Sequence, residues 1–444
     1  MSGVPPRLHQ LPRTVKVFLS LVIVFILLFS FAAWSTYSSS LTVGYPAPDY
    51  DTRPTSHLNQ SKILLVSAFF PLLKSNHPIS DYETWLSNFL SVVKTDIYFY
   101  TPPDVVPLIE RLRGNHPIYI NATYSSPFDV PPLEGLEEIY IEMNEVYKDR
   151  GVHSHKMSGI WNAKAFFLDE AVRHVVETPL ARGGNHHYEY VFWTDAGGMR
   201  EPNHYEYWPE YNRVDALWEE GRNLSGYMMQ KDELLFLPIV GMGVEYHKQI
   251  GMRWKDTDGP GYPGVIPWNA GSFLGGPPGV ITWFRNIFYS YHNAWLAQGM
   301  WVGIDQDIFS AIMLLYPHRF ITVWLGDPLA PAHLYTSVPE GEYGGVQELG
   351  ACGHWPWYYY EFFLSDAETR DKMRDWWLDR ISEPENKMVK GNWEGWWKGS
   401  NACRLTDLLW CKQLLEREFG KDWIPPQATL VNLENPKPQE VKWL

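Results

Sequence analysis

From residue 62 onward the apolar positions fall into short, almost unbroken runs separated by stretches with helical periodicity. Residues 62–70 (KILLVSAFF) and 96–100 (DIYFY) show no polar alternation. That pattern predicts strands buried on both faces, as in a parallel sheet. Between them, residues 81–93 are amphipathic, and residues 103–113 read as a helix leading to a third strand at 118–120. Residues 158–176 place Ile160, Lys164, Phe167, Leu168 and Ala171 at helical spacing, and a Gly/His-rich loop then precedes a strand over 188–194 that ends at Asp195. A further strand is predicted over 234–240, and an apolar helix over 308–315 is opened by Asp305-Gln306-Asp307. Strand and helix alternating at this spacing predict an α/β fold, a doubly wound, mostly parallel sheet flanked by helices. Such folds bind ligands at the carboxyl ends of their strands.

The pattern changes at the N-terminus. Residues 15–34 are nearly all Val, Leu, Ile and Phe, and at about 1.5 Å per residue they reach roughly 30 Å, enough to span a bilayer core. Arg7, Arg13 and Lys16 flank the run on one side, and the next basic residue is Arg53. The positive-inside rule puts residues 1–14 in the cytoplasm and makes 15–34 a signal anchor with type II topology. A cleaved signal peptide is the competing reading, since small residues follow at Ala32-Ala33, but the apolar run is longer than a signal core. Residues 35–60, rich in Ser, Thr and Pro, read as a stem, residues 61–375 as the catalytic domain, and residues 376–444 as a Trp-rich extension wrapping it. Sequons at Asn59, Asn121 and Asn223 agree with a domain in the lumen of the endoplasmic reticulum or Golgi. That compartment permits a disulfide among Cys352, Cys403 and Cys411. Cys403 and Cys411 are too far apart along a continuous helix to bond, so Cys352 is expected to pair with one of them.

Composition narrows the function. Against 37 basic residues stand 51 acidic ones, for a net charge of −14 over 444 residues, which argues against a nucleic-acid partner. Apolar residues make up 45 % of the chain, enough for a large core, and the 22 Trp hint at carbohydrate because aromatic faces stack on sugar rings.

Three segments carry candidate chemistry. Asp195, at a strand end and followed by Ala196-Gly197-Gly198, is placed to meet a ligand or a cation, with glycines allowing close backbone approach. The structural alternative is an Asp capping its own turn. Trp268-Asn269-Ala270-Gly271 could hydrogen-bond sugar hydroxyls while leaving room for the ring, or could simply be a tight turn. Asp305-Gln306 opens a helix, where an Asp also serves as an N-cap.

Taken in order, Trp161-Asn162-Ala163-Lys164, Phe192-Trp193-Thr194-Asp195-Ala196-Gly197, Asn269-Ala270-Gly271 and Asp305-Gln306 resemble nucleotide-sugar glycosyltransferases of the GT-A type, including the glycogenin-like group. With residues 63–70 added, the pattern is most similar to the HtrL/YibB-like family, over roughly residues 60–325. The resemblance implies sugar transfer from a nucleotide-diphosphate donor to an acceptor hydroxyl on a glycan or glycoprotein. It implies Lys164, Asp195, Gly197, Asn269 and Gly271 at the donor, and Asp305 with Gln306 as the catalytic pair. It also implies a divalent cation, Mn²⁺ foremost, on Asp195 as Lewis acid. The usual Asp-x-Asp is here Asp195-Ala196-Gly197, with one carboxylate where two are expected, and His354 is the candidate second ligand. His153 with His155, and His186 with His187, have metal-like spacing but read as exposed loop residues. Two other functions remain open on the sequence: a non-catalytic carbohydrate-binding protein of the same fold, and a glycoside hydrolase using Glu201 and Asp305.

Overall fold

Strand β1 (Ile63–Ala68) forms where the unbroken apolar run predicts it, and all six of its side chains are buried. The computed structural model describes residues 61–72, 79–150, 154–177, 188–243, 245–260, 269–324, 326–329, 352, 356–382, 403–430 and 437–443. These belong to one compact unit, Asp49–Leu444. The predicted tail, anchor and stem lie outside the described residues, among which no helix is long and apolar enough to cross a membrane.

After β1 come α1 (Ile79–Leu90), β2 (Asp96–Tyr100), α2 (Val106–Arg113) and β3 (Ile118–Asn121). Next are α3 (Glu137–Val146), α4 (His155–Val172), β4 (Tyr190–Thr194) and α5 (Tyr211–Leu224). β5 (Leu235–Phe236), α6 (Glu245–Gly251), β6 (Phe273–Gly276), α7 (Pro278–Ala297), α8 (Asp305–Leu315) and β7 (Phe320–Thr322) follow. The chain closes with α9 (Tyr359–Phe363), α10 (Ala367–Ser382), β8 (Leu409–Trp410) and α11 (Cys411–Phe419).

The eight strands form one sheet in the order β3-β2-β1-β4-β6-β5-β7-β8. Strands β3, β2, β1 and β4 run parallel. Strand β6 is antiparallel to both β4 and β5, β5 is parallel to β7, and β8 is antiparallel to β7. The fold is thus mixed α/β, with four parallel strand pairings and three antiparallel ones. Neighbouring residues of β1 pack to opposite sides, as the two-residue period of a strand requires. Leu64 and Val66 join Phe167 of α4 and Phe284 of α7. Ile63 and Leu65 join Leu86 of α1 and Trp218 of α5. Two cores on one sheet make three layers.

Two details shape the half of the sheet beyond β4. A Cβ on Gly275 would lie 2.2 Å from the carbonyl oxygen of Val191, so only glycine lets β6 approach β4. The strand predicted over 234–240 is cut to Leu235–Phe236 as a regular ladder. Leu237 and Ile239 still donate to Ile321 and Val323, but Pro238 between them has no N–H to give. The Cys352 partner is Cys403, and Cys411 is a buried free thiol. The boundary drawn at 376 falls inside α10, and β8 from the extension completes the sheet. Trp393, Trp396 and Trp397 lie outside the described residues.

Candidate functional site

The parallel strand order reverses at β1: β2 and β3 extend to one side, and the chain returns through α3 and α4 to place β4 on the other. Ligands of open α/β sheets bind at such a switch, outside the strands' carboxyl ends. Asp195 is the first residue beyond β4 at that end. Its backbone N–H donates to Ser272 (2.9 Å), and its carbonyl accepts from Gly198 N–H (2.9 Å), closing a tight turn. Trp193 lies two residues back, on the same face of the strand, and its indole N–H donates to Asp195 Oδ1 (2.7 Å).

Helix α4 brings Lys164 to the same point. The helix starts with Ser154 as its cap, the hydroxyl accepting from Lys156 N–H, and is buried along most of its length between the sheet, α3 and α7. Lys164 Nζ lies 3.1 Å from Asp195 Oδ1, 3.0 Å from Asp305 Oδ2 and 2.7 Å from the carbonyl oxygen of Gly271. The ammonium is therefore held by three oxygens, which matches its three protons. Burial works against the charge on Lys164, but the two carboxylates outweigh it and hold the ammonium above its usual range. Asp305, the first residue of α8, is 2 % exposed. Burial, only partly offset by Lys164, pushes its carboxyl up to about 6. Its Oδ1 accepts from Gln306 N–H (2.9 Å).

Around this trio the other predicted residues come together. Asn269 Nδ2 donates to Gln306 O (3.0 Å) and Ser310 Oγ (2.8 Å), while Gln306 Nε2 donates to Asn269 O (2.6 Å). The buried Oδ1 of Asn269 has no hydrogen-bond partner among the described residues. A Cβ on Gly271 would lie 2.6 Å from Gln306 Cγ, so the close packing of these two segments needs a glycine there. Gly197 carries the turn and accepts from Arg200 Nε through its carbonyl (3.2 Å). Asp305 and Gln306, the expected catalytic pair, are thus engaged beneath Asp195 rather than free.

The predicted cation fares differently. Asp195 Oδ1 is taken by Lys164 and Trp193, which leaves one oxygen of a carboxylate that is 34 % exposed. Among the described residues no three His, Cys, Asp or Glu side chains gather as a metal site. Among the described residues Asp195 is thus the one predicted cation ligand, with a single oxygen to offer. His354, His153, His186 and His187 lie outside the described residues, and His155 faces Glu137 (Nε2 to Oε1, 3.4 Å). Of the two carboxylates of the hydrolase reading, Asp305 sits on Lys164, and Glu201 lines a pocket with Arg200 and Glu361.

Sequence reasoning missed how the trio is supported. Asn162, two residues before Lys164, donates to Val302 O (2.7 Å) and to the Tyr140 hydroxyl (2.8 Å), tying α4 to the segment that delivers Asp305. Tyr140 meets His292 Nε2 (2.6 Å), and burial pushes that imidazole down to about 4, so it stays neutral. In the sequence, Asn162-Ala163-Lys164 is the signal of this arrangement.

No protein-family model matches the chain, and no curated relative is similar enough to match. The HtrL/YibB-like resemblance therefore stands on the quoted motifs alone. Among solved structures, core-mannan synthase A from Aspergillus fumigatus, in its Mn/GDP form, is similar over 65 % of this chain and 80 % of its own, with 11 % identity and a TM-score of 0.33.

Proposed function

We propose that this chain is a type II membrane-anchored glycosyltransferase of the secretory pathway, moving a sugar from a nucleotide-diphosphate donor to an acceptor hydroxyl. One observation carries the reading: a buried lysine clamped between Asp195 and Asp305 at the strand-order switch. A buried ion pair is a poor device for stability, because desolvation consumes most of what the pairing returns. Its position outside β4, where this class of sheet holds ligands, favours a role in binding. In this reading the free oxygen of Asp195 accepts hydroxyls of the donor, while Lys164 fixes the carboxylate's direction. Asp305 acts through Lys164, and Asn269, Gly271 and Gln306 shape the wall.

The test is a panel of nucleotide sugars offered to the full chain in detergent, with and without Mn²⁺, reading donor hydrolysis, transfer and melting temperature. A bound donor raises the melting temperature by mass action. No shift and no turnover with any donor would contradict the reading. Oligosaccharide binding without donor binding would favour the non-catalytic carbohydrate-binding alternative, which draws support from the single available Asp195 oxygen.

The Cys352–Cys403 bridge suits an oxidising compartment and so supports the luminal placement. The sequons differ in what they can accept. Asn223 is exposed. Asn121 is buried in β3, with Nδ2 donating to the Tyr98 hydroxyl (3.1 Å) and Oδ1 accepting from Thr123 N–H (3.0 Å). Expressed through the secretory pathway, Asn223→Gln should lose the mass of one glycan and Asn121→Gln none. An unchanged mass in Asn223→Gln would count against luminal placement.

A further inference from the structure

Beside the Asp195 turn, Gly198, Arg200 and Glu201 face Tyr358, Glu361 and Trp377 across a pocket. The first three follow the strand end directly. The other three belong to α9, α10 and the turn before them, beyond the segment that resembles known transferases. Gly198 belongs to both places. Its N–H closes the Asp195 turn, and a Cβ on it would lie 3.1 Å from the Asp195 carbonyl oxygen and 3.8 Å from Glu361 Oε1. The pocket is thus separated from the Lys164 trio by the thickness of one turn.

Its walls carry the groups that saccharides use. Tyr358, half-buried, offers an apolar ring face of the kind that packs on the C–H face of a sugar while polar groups take its hydroxyls. Arg200 is held in place, its guanidinium 4.2 Å from the centre of the Trp85 ring and 5.8 Å from that of Tyr358. Glu361 is half-buried beside the Glu201 carboxylate, and that burial, reinforced by Glu201, raises its carboxyl well above the usual range. A neutral carboxyl both donates and accepts, as a sugar hydroxyl does. The second observation is Trp377. It is 8 % exposed, and its buried indole N–H has no acceptor among the described residues. Buried donors are almost always paired, so an unpaired one in a pocket wall points to an oxygen that arrives with a ligand.

We propose that this pocket binds the acceptor saccharide, with the Trp377 indole N–H and the Glu361 carboxyl hydrogen-bonding its hydroxyls beside the Asp195 turn. The assignment of acceptor rests on the glycosyltransferase reading, whereas the binding of a saccharide does not.

The test probes the full chain on a microarray of neutral and acidic oligosaccharides with no nucleotide present, so the result is independent of the donor site. The wild type should bind at least one oligosaccharide. Both Trp377→Phe, which removes the N–H and keeps an aromatic ring, and Glu361→Gln should weaken that binding by about tenfold, the loss expected for one buried hydrogen bond. The melting temperature of each variant checks its fold, and if one variant unfolds the other decides. A wild type that binds no oligosaccharide, or binding that survives in the folded variants, would overturn the proposal. Oligosaccharide binding lost in these variants, in a protein that takes no nucleotide sugar, would uphold the pocket while removing the acceptor role.

Discussion

Among the described residues two cations are buried, and their surroundings separate a structural fastener from the proposed site. Arg113, at the end of α2, is 1 % exposed and meets only backbone carbonyls: Leu90 (2.9 Å), Thr95 (2.7 Å), Pro117 (2.6 Å from Nη2) and Val93. It fastens the end of α1 and the start of β2 to α2. Burial pushes its guanidinium down to about 9, with Asp96 pulling the other way. Lys164 is 3 % exposed and meets two carboxylates and one carbonyl at the mouth of the switch point. Arg113 satisfies orphaned carbonyls that any fold must pair. Lys164 brings together two acids from separate segments at the strand-order switch.

That difference makes the two sites respond differently to substitution. Lys164→Met leaves Asp305 buried without its counter-ion and should cost about 3–5 kcal/mol in stability. Adding Asp305→Leu should return most of that loss, while sugar turnover stays depressed by about a hundredfold or more. Urea unfolding and a turnover assay on the single and double variants read both effects. Turnover restored together with stability would make Lys164 a second fastener. Arg113→Leu should cost about 3 kcal/mol, because several carbonyls lose their donor at once. No side-chain substitution elsewhere rescues it, and turnover per folded molecule should not change. A turnover loss at constant folded fraction would erase the contrast between the two cations.

Acidity separates them again. The folded chain holds the proton on Asp305 more tightly than the unfolded chain does, at about 6 against 3.8. Its contribution to stability is therefore fullest below pH about 4 and declines as the pH rises to about 6, by roughly 2–3 kcal/mol in total. Asp305→Asn should remove that decline from the pH dependence of unfolding, whereas Arg113→Leu should leave it in place. An identical pH profile for wild type and Asp305→Asn would sink the assignment. The smallest effect belongs to Gly271→Ala. Its methyl displaces Gln306 for about 1–2 kcal/mol, and the disturbed wall should weaken donor binding in a thermal-shift titration.

The sequence made the fold legible where burial is a local property. β1, β2 and β4 are unbroken apolar runs because both faces of those strands are covered, and α4 shows its period around Lys164. It was less legible where geometry depends on distant partners. The two-residue β8 carries no pattern of its own and exists because β7 offers it an edge. The sequon at Asn121 does not reveal that its side chain is tied to Tyr98 on the next strand. Lys164, Asp195 and Asp305 come from three separate segments, and no spacing rule joins them. Only the resemblance put them at one site, and even then Lys164 as the bridge between two acids needed coordinates. Nothing in the chain pairs Arg200 with Glu361, yet the sheet and α9 set them in one pocket.

The account turns on Asp195, whose carboxylate is the one group of the trio that solvent can reach. Turnover of a nucleotide sugar by Asp195→Ala, measured beside the wild type with the melting temperature as the check on folding, tests it most directly. The account predicts a loss of about a hundredfold or more in a variant that melts where the wild type does. Near-normal turnover in a folded Asp195→Ala would contradict it and move the working site away from the end of β4.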